Sequence, residues 1–102
     1  MSQVAVWARI PVQPGKREEA IAAMQLAYDH VVENETGTIY YIVHEDAKDP
    51  DAIYFYELYA DKAALEAHGK SDAMKAIGPA LGPLMAGRPE LKFYTPVKGK
   101  GL

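Results

Sequence analysis

His68, Glu57 and Tyr41 are the side chains whose types and positions suit chemistry in this sequence. His68 falls on one stripe of a short helical segment with Ala64 and Leu65, so its imidazole points inward. An imidazole titrates near neutral pH and can serve as general acid or base, although the same position also suits a structural histidine or a helix cap. Glu57 shares a strand face with Ile53, Phe55 and Tyr59, where the period-two pattern calls for an apolar residue. A carboxylate there is costly unless paired or protonated, and His68, Arg9 and a tyrosine are all open as partners, a structural ion pair included. Tyr41 is placed on Glu57's side of the sheet, where a phenol either holds a substrate oxygen or packs in the core. Trp7 and Arg9 share one face of the first strand and are either donors to an oxyanion or part of a contact between copies. Together with Phe55, Tyr59 and Leu65 they complete the expected substrate lining.

Several chemistries lack their residues. The chain has no cysteine, which removes disulfides, thiolate metal sites and cysteine nucleophiles. His30 and His44 are dispersed from His68, without the spacing of a metal motif, so no metal is expected. There is no serine elbow, phosphate-binding loop or dinucleotide fingerprint; Gly78, Gly82 and Gly87, around Pro79 and Pro83, punctuate loops. No cofactor is expected.

The elements that must position these residues follow from periodicity. Alternation over residues 4–12 reads as a strand with Val4, Val6, Ala8, Ile10 and Val12 on one face, stopped by Pro14 and Gly15. Pro11 lacks a backbone donor, which places the end of that strand at an edge or bulge. Residues 16–34 read as a single helix with Ala20, Ile21, Met24, Ala27, Tyr28, Val31 and Val32 on its apolar stripe. Gly37 suits a left-handed turn after it. Strands over 38–45 and 52–59 flank a polar loop containing Pro50. Asp61 caps a helix through His68, and Ser71 caps another to about Ile77, interrupted at Gly78 and Pro79 and resuming over 80–85. A last strand covers 91–97. The order βαββαβ gives a ferredoxin-like α+β domain over residues 1–97, with 98–102 as a flexible tail.

The bulk numbers bound the function. One domain fits in 102 residues, and a net charge of −3 without a basic stripe argues against nucleic acid. Apolar runs fall well short of the ~20 residues of a membrane span, and no secretory signal opens the chain, so a cytoplasmic protein is expected. The strands are apolar on both faces: Tyr40 and Ile42 oppose Ile39, Tyr41 and Val43, Tyr54, Tyr56 and Leu58 oppose Ile53, Phe55 and Tyr59, and Leu91 and Phe93 oppose Tyr94. Two helical segments cover only one side of a sheet. A homodimer through the other face is the economical solution.

The sequence resembles the antibiotic biosynthesis monooxygenase family of dimeric α+β barrels. The resemblance runs from about Val4 to Tyr94, through the segments Val12-Gln13-Pro14-Gly15-Lys16-Arg17-Glu18-Glu19, Glu35-Thr36-Gly37-Thr38-Ile39-Tyr40-Tyr41, Tyr54-Phe55-Tyr56-Glu57-Leu58-Tyr59-Ala60-Asp61 and Ala64-Leu65-Glu66-Ala67-His68 with Ser71. It departs from the haem-degrading branch, which has asparagine where Ala8 stands, tryptophan near His68 and a ligand histidine near Ile77; Tyr59 stands where many members carry tryptophan. The resemblance implies a cofactor-independent monooxygenase oxidising a small aromatic quinol or phenol with dioxygen. His68 would be the base, Glu57 would steady it and Tyr41 would donate to the oxyanion. An isomerase using the same base for enolisation, and a non-catalytic dimer that binds a small hydrophobe, are the alternatives. A phosphorylated isomerase substrate would need a cation in the cavity, for which Arg9 is the candidate.

Overall fold

The alternation around Val6, Ala8 and Ile10 forms strand β1 (Val4–Pro11), and the two later aromatic runs form β2 (Thr38–His44) and β3 (Ala52–Tyr59). A computed structural model describes residues 2–102. With β4 (Glu90–Tyr94) the strands make one antiparallel sheet in the order β2-β3-β1-β4. Helices α1 (Arg17–Ala23), α2 (Gln25–Asn34), α3 (Lys62–Lys70) and α4 (Asp72–Leu81) fill the two crossovers of this α+β, ferredoxin-like arrangement. The core lies between helices and sheet, where Ala20, Met24 and Leu81 pack on Ala8, Ile10, Ile53 and Phe55.

β1 is an inner strand, yet Pro11 is accommodated. β4 stops pairing at Arg9, so beyond it the side of β1 that Pro11's nitrogen faces needs no donor. β4 itself is shorter than the alternation predicts, because β1 starts at Val4 and Pro96 has no N–H to extend the ladder.

Three helical expectations are corrected. The single helix over 16–34 is broken at Met24, whose N–H bonds to the Ile21 carbonyl at 3.1 Å in a tightened turn. That turn shifts the phase of the second half: Ala27 and Val31 reach the core, while Val32 is exposed. Pro79 does not interrupt α4, which continues to Leu81 and runs into a 3-10 turn, Gly82–Leu84. Its ring is on the exposed side, so the Lys75 carbonyl deprived of a donor can turn to water. Asp61 and Ser71 do cap α3 and α4, accepting from the Ala64 and Met74 N–H groups at 2.8 and 3.2 Å; α3 runs past its expected end at His68, to Lys70.

Gly37 does not adopt a left-handed conformation; among the described residues positive φ occurs at Gly15 and Gly101. Glycine is required at 37 for close approach, since a Cβ there would lie 2.6 Å from the Ala64 Cβ.

The sheet face away from the helices is largely open. Trp7, Tyr40, Ile42 and Tyr94 are exposed on it. Residues 98–102, together with Pro96, turn back along this face beside Ala5, Trp7, Tyr40 and Tyr56. Among the described residues no helix is long and apolar enough to cross a membrane.

Candidate functional site

Glu57 and His68 are the buried polar side chains of the core, 9% and 5% exposed. β3 delivers Glu57 to the helix side of the sheet between Phe55 and Tyr59, and the inward stripe of α3 delivers His68 above them. The Tyr41 and Tyr59 rings lie 5.3 and 5.4 Å from the imidazole, centroid to centroid. Tyr41 stands directly opposite Glu57 in the β2–β3 register.

The carboxylate that holds His68 is Glu35, not Glu57. Its two oxygens lie 2.9 and 3.2 Å from His68 Nδ1, and Thr38 Oγ1 donates to Oε1 at 2.7 Å. With Nδ1 occupied, Nε2 is the nitrogen left for a reacting group. Glu35 follows α2 in a polar run that reads as a solvated turn, and its partner is 33 positions away. The one sequence signal was its place three residues before a strand threonine.

Glu57 bonds instead to the Tyr59 hydroxyl, one of the partners open to it from sequence. Burial pushes the Glu57 carboxyl up, against opposing pulls from the Tyr59 hydrogen bond and the nearby His68. The Tyr59 hydroxyl donates its proton in this contact, and burial with the Glu57 charge holds its pKa well above the ordinary range. The Tyr41 phenol is also pushed up, first by burial and then by the charges of Glu57 and Glu35. No hydrogen bond to a described residue engages the Tyr41 hydroxyl, and no buried side-chain oxygen or nitrogen among the described residues lacks a partner, so that hydroxyl opens on accessible space.

Tyr41 also lines a cavity of about 350 Å³ between α1, α2 and the β2 side of the sheet. Ile21, Met24, Tyr28, Tyr41, Val43 and Phe55 line it, with Gln25 as a polar contact. Three aromatic rings and aliphatic walls suit a flat, apolar ligand. Tyr41 belongs to both assemblies: its ring packs on His68 on one side and forms cavity wall on the other. His68 is not itself a lining residue, and neither is Leu65.

Trp7 and Arg9 are placed elsewhere. Both project from the open sheet face, opposite His68, because their parity in β1 is opposite to that of Val6 and Ala8. The Arg9 guanidinium is engaged by Asp49 at 2.8 Å and Glu90 at 3.1 Å, and the same contact with Arg9 holds the Asp49 carboxyl below its usual range. The cavity therefore has no cation among its lining residues, which removes the anchor a phosphorylated substrate would need. Among the described residues no three His, Cys, Asp or Glu side chains converge on a metal-binding arrangement.

Comparison with known proteins places this geometry in context. The family model described as antibiotic biosynthesis monooxygenase matches residues 3–79. A provisionally assigned antibiotic biosynthesis monooxygenase from Caulobacter crescentus superposes with a TM-score of 0.90 at 33% identity, over 95% of this chain and 92% of that one. A second provisionally assigned member, from Chloroflexus aurantiacus, gives 0.81 at 26% identity over 98% of both chains. An uncharacterised protein of Synechocystis sp. is 30% identical over 91 residues, 89% of this chain; the chain spans 61% of that relative's length.

Proposed function

The chain belongs to the antibiotic biosynthesis monooxygenase family, and from that premise we propose that it is a cofactor-independent monooxygenase of a small aromatic quinol or phenol. The observation that carries this reading is the buried, carboxylate-held imidazole of His68 one ring away from an aromatic-lined cavity, the ring between them being Tyr41, a cavity-wall residue. In this reading the substrate lies flat against Tyr41 and Phe55 with a hydroxyl at the edge of the Tyr41 ring, whose centroid is 5.3 Å from the His68 imidazole.

His68 takes the hydroxyl proton, leaving a phenolate electron-rich enough to reduce dioxygen. One electron passes to oxygen, the radical pair combines to form a carbon–oxygen bond, and a proton completes the hydroperoxide. Its O–O bond then breaks as the ring C–H proton leaves, giving a new carbonyl and water. The substrate supplies every electron, so each quinol and dioxygen yield one hydroxyquinone and one water. Tyr41, kept protonated by its surroundings, donates to the oxygen on which charge develops. Glu35 holds the base in one tautomer, and the Glu57–Tyr59 pair forms the floor on which the imidazole rests.

The functional unit in this proposal is a homodimer. The open face with Trp7, Tyr40, Ile42 and Tyr94 packs against the same face of a second copy, as residues this apolar rarely remain in water together.

The test is oxygen consumption with a panel of benzo-, naphtho- and anthra-quinols, comparing wild type and His68→Ala against protein-free autoxidation. Uptake above autoxidation that falls about 10²-fold or more in the variant supports the reading. Equal uptake by the variant removes His68 as the base, and no uptake with any quinol removes the oxygenase reading.

A further inference from the structure

We propose that the surface groove over Glu35 is a proton port for His68, separate from the substrate cavity, with His30 as the proton acceptor at its mouth. The inference rests on the reading of His68 as the base and adds to it a route by which that base exchanges protons with water.

Glu35 lies between two imidazoles. One oxygen faces His68 Nδ1 at 2.9 Å, and the other lies 3.6 Å from His30 Nε2. The Glu35 side chain is 11% exposed and that of His30 is 34% exposed, so the three groups step from core to solvent. A groove of about 460 Å³ between the end of α2 and α3 opens over them, lined by His30, Asn34, Glu35 and Gly37 with alanines from α3. It shares no lining residue with the cavity beside Tyr41: Glu35 lines the groove, and on the other side the Tyr41 ring, packed on His68, forms cavity wall. The titratable groups facing the pair from the sheet are Tyr41, Glu57 and Tyr59, with the Thr38 hydroxyl; Asn34 faces His30 from α2.

A buried imidazolium left beside a new phenolate hands its proton back. Moving that proton outward lengthens the life of the anion that reacts with oxygen. The bonds exchanged are definite. Substrate O–H breaks as His68 Nε2–H forms, His68 Nδ1–H breaks as a Glu35 O–H forms, and that O–H breaks as His30 Nε2–H forms once the His30 side chain closes the 3.6 Å gap to hydrogen-bond distance. Receipt at Nε2 requires the Nδ1–H form of His30, which a half-turn of the Asn34 amide accommodates by presenting its oxygen to Nδ1; the two groups are 3.4 Å apart. The return of a proton for the hydroperoxide follows the same path inward.

The experiment uses the intact protein and the best quinol of the panel. His30→Gln and His30→Ala, each checked for an unchanged melting temperature, are compared with wild type in H₂O and D₂O, with and without added imidazole. The port predicts a fall in kcat of about 3- to 10-fold with KM unchanged, a larger solvent isotope effect, and recovery with imidazole. Unchanged kcat and isotope effect in both variants overturn the port while leaving His68 as the base. If His68→Ala turns over like wild type, the reading beneath the port fails instead.

Discussion

At the scale of single residues, the burial of Glu57 has a consequence for stability. Its carboxyl is pushed up in the folded protein, so the folded state favours the protonated form. The associated stability is complete below the ordinary glutamate range and is lost as pH rises through the raised value. Glu57→Gln, which mimics the neutral form and keeps an acceptor for Tyr59, should therefore gain stability relative to wild type as pH rises over that window, and stay level above it. Urea unfolding of both proteins from pH 4 to pH 8 reads this directly, and a constant difference would show that the charge is tolerated. The inward placement of His68 was legible in the sequence because helix periodicity orients side chains without any tertiary knowledge, whereas Tyr41's place opposite Glu57 depends on strand register, which periodicity does not fix. Glu35 was not, because its role depends on where a loop comes to rest against a helix 33 residues later. The displacement of Trp7 and Arg9 to the other face was legible in principle: they alternate with Val6 and Ala8, and Val6 is the residue paired with Glu57.

At the scale of elements, the α2–β2 connection and α3 form the contact that fixes the candidate site. Gly37 sits where the two meet, and Ala64 leaves no room for a second methyl group. Gly37→Ala should cost about 1–3 kcal/mol by overpacking, and Ala64→Gly in the same chain should recover part of it beyond additivity. Thermal or urea unfolding of the double-mutant cycle measures both; additive losses would place the strain elsewhere. The one-residue irregularity between Thr38 and Tyr40 belongs to the same connection. It lets Thr38, which holds Glu35, and Tyr41, which walls the cavity, both face the helices although they are an odd number of residues apart. Strict alternation assigned Ile39 to Tyr41's face, and the bulge leaves it exposed. Strands and caps were readable because their signals are local. The break at Met24 and the passage of α4 through Pro79 were not, because packing and solvent access decide whether a weak local preference prevails.

At the scale of the whole molecule, the α+β order follows from the sequence, whereas the proposed assembly follows from what the order leaves uncovered. A charge at the centre of the open face should act on association and spare the fold. Trp7→Glu is expected to weaken a dimer at least ~10-fold, measured by light scattering or sedimentation across a concentration series, with the far-ultraviolet spectrum retained. A wild-type protein that stays monomeric throughout that series would remove the proposed assembly. Residues 99–102 lie along this same face, with Gly101 in the left-handed region beside the Tyr40 hydroxyl. An affinity tag fused after Leu102 would emerge directly over the surface through which two copies are proposed to meet. On the proposed assembly, a carboxyl-terminal tag is expected to weaken association relative to an amino-terminal one, and sedimentation of the two tagged forms checks it.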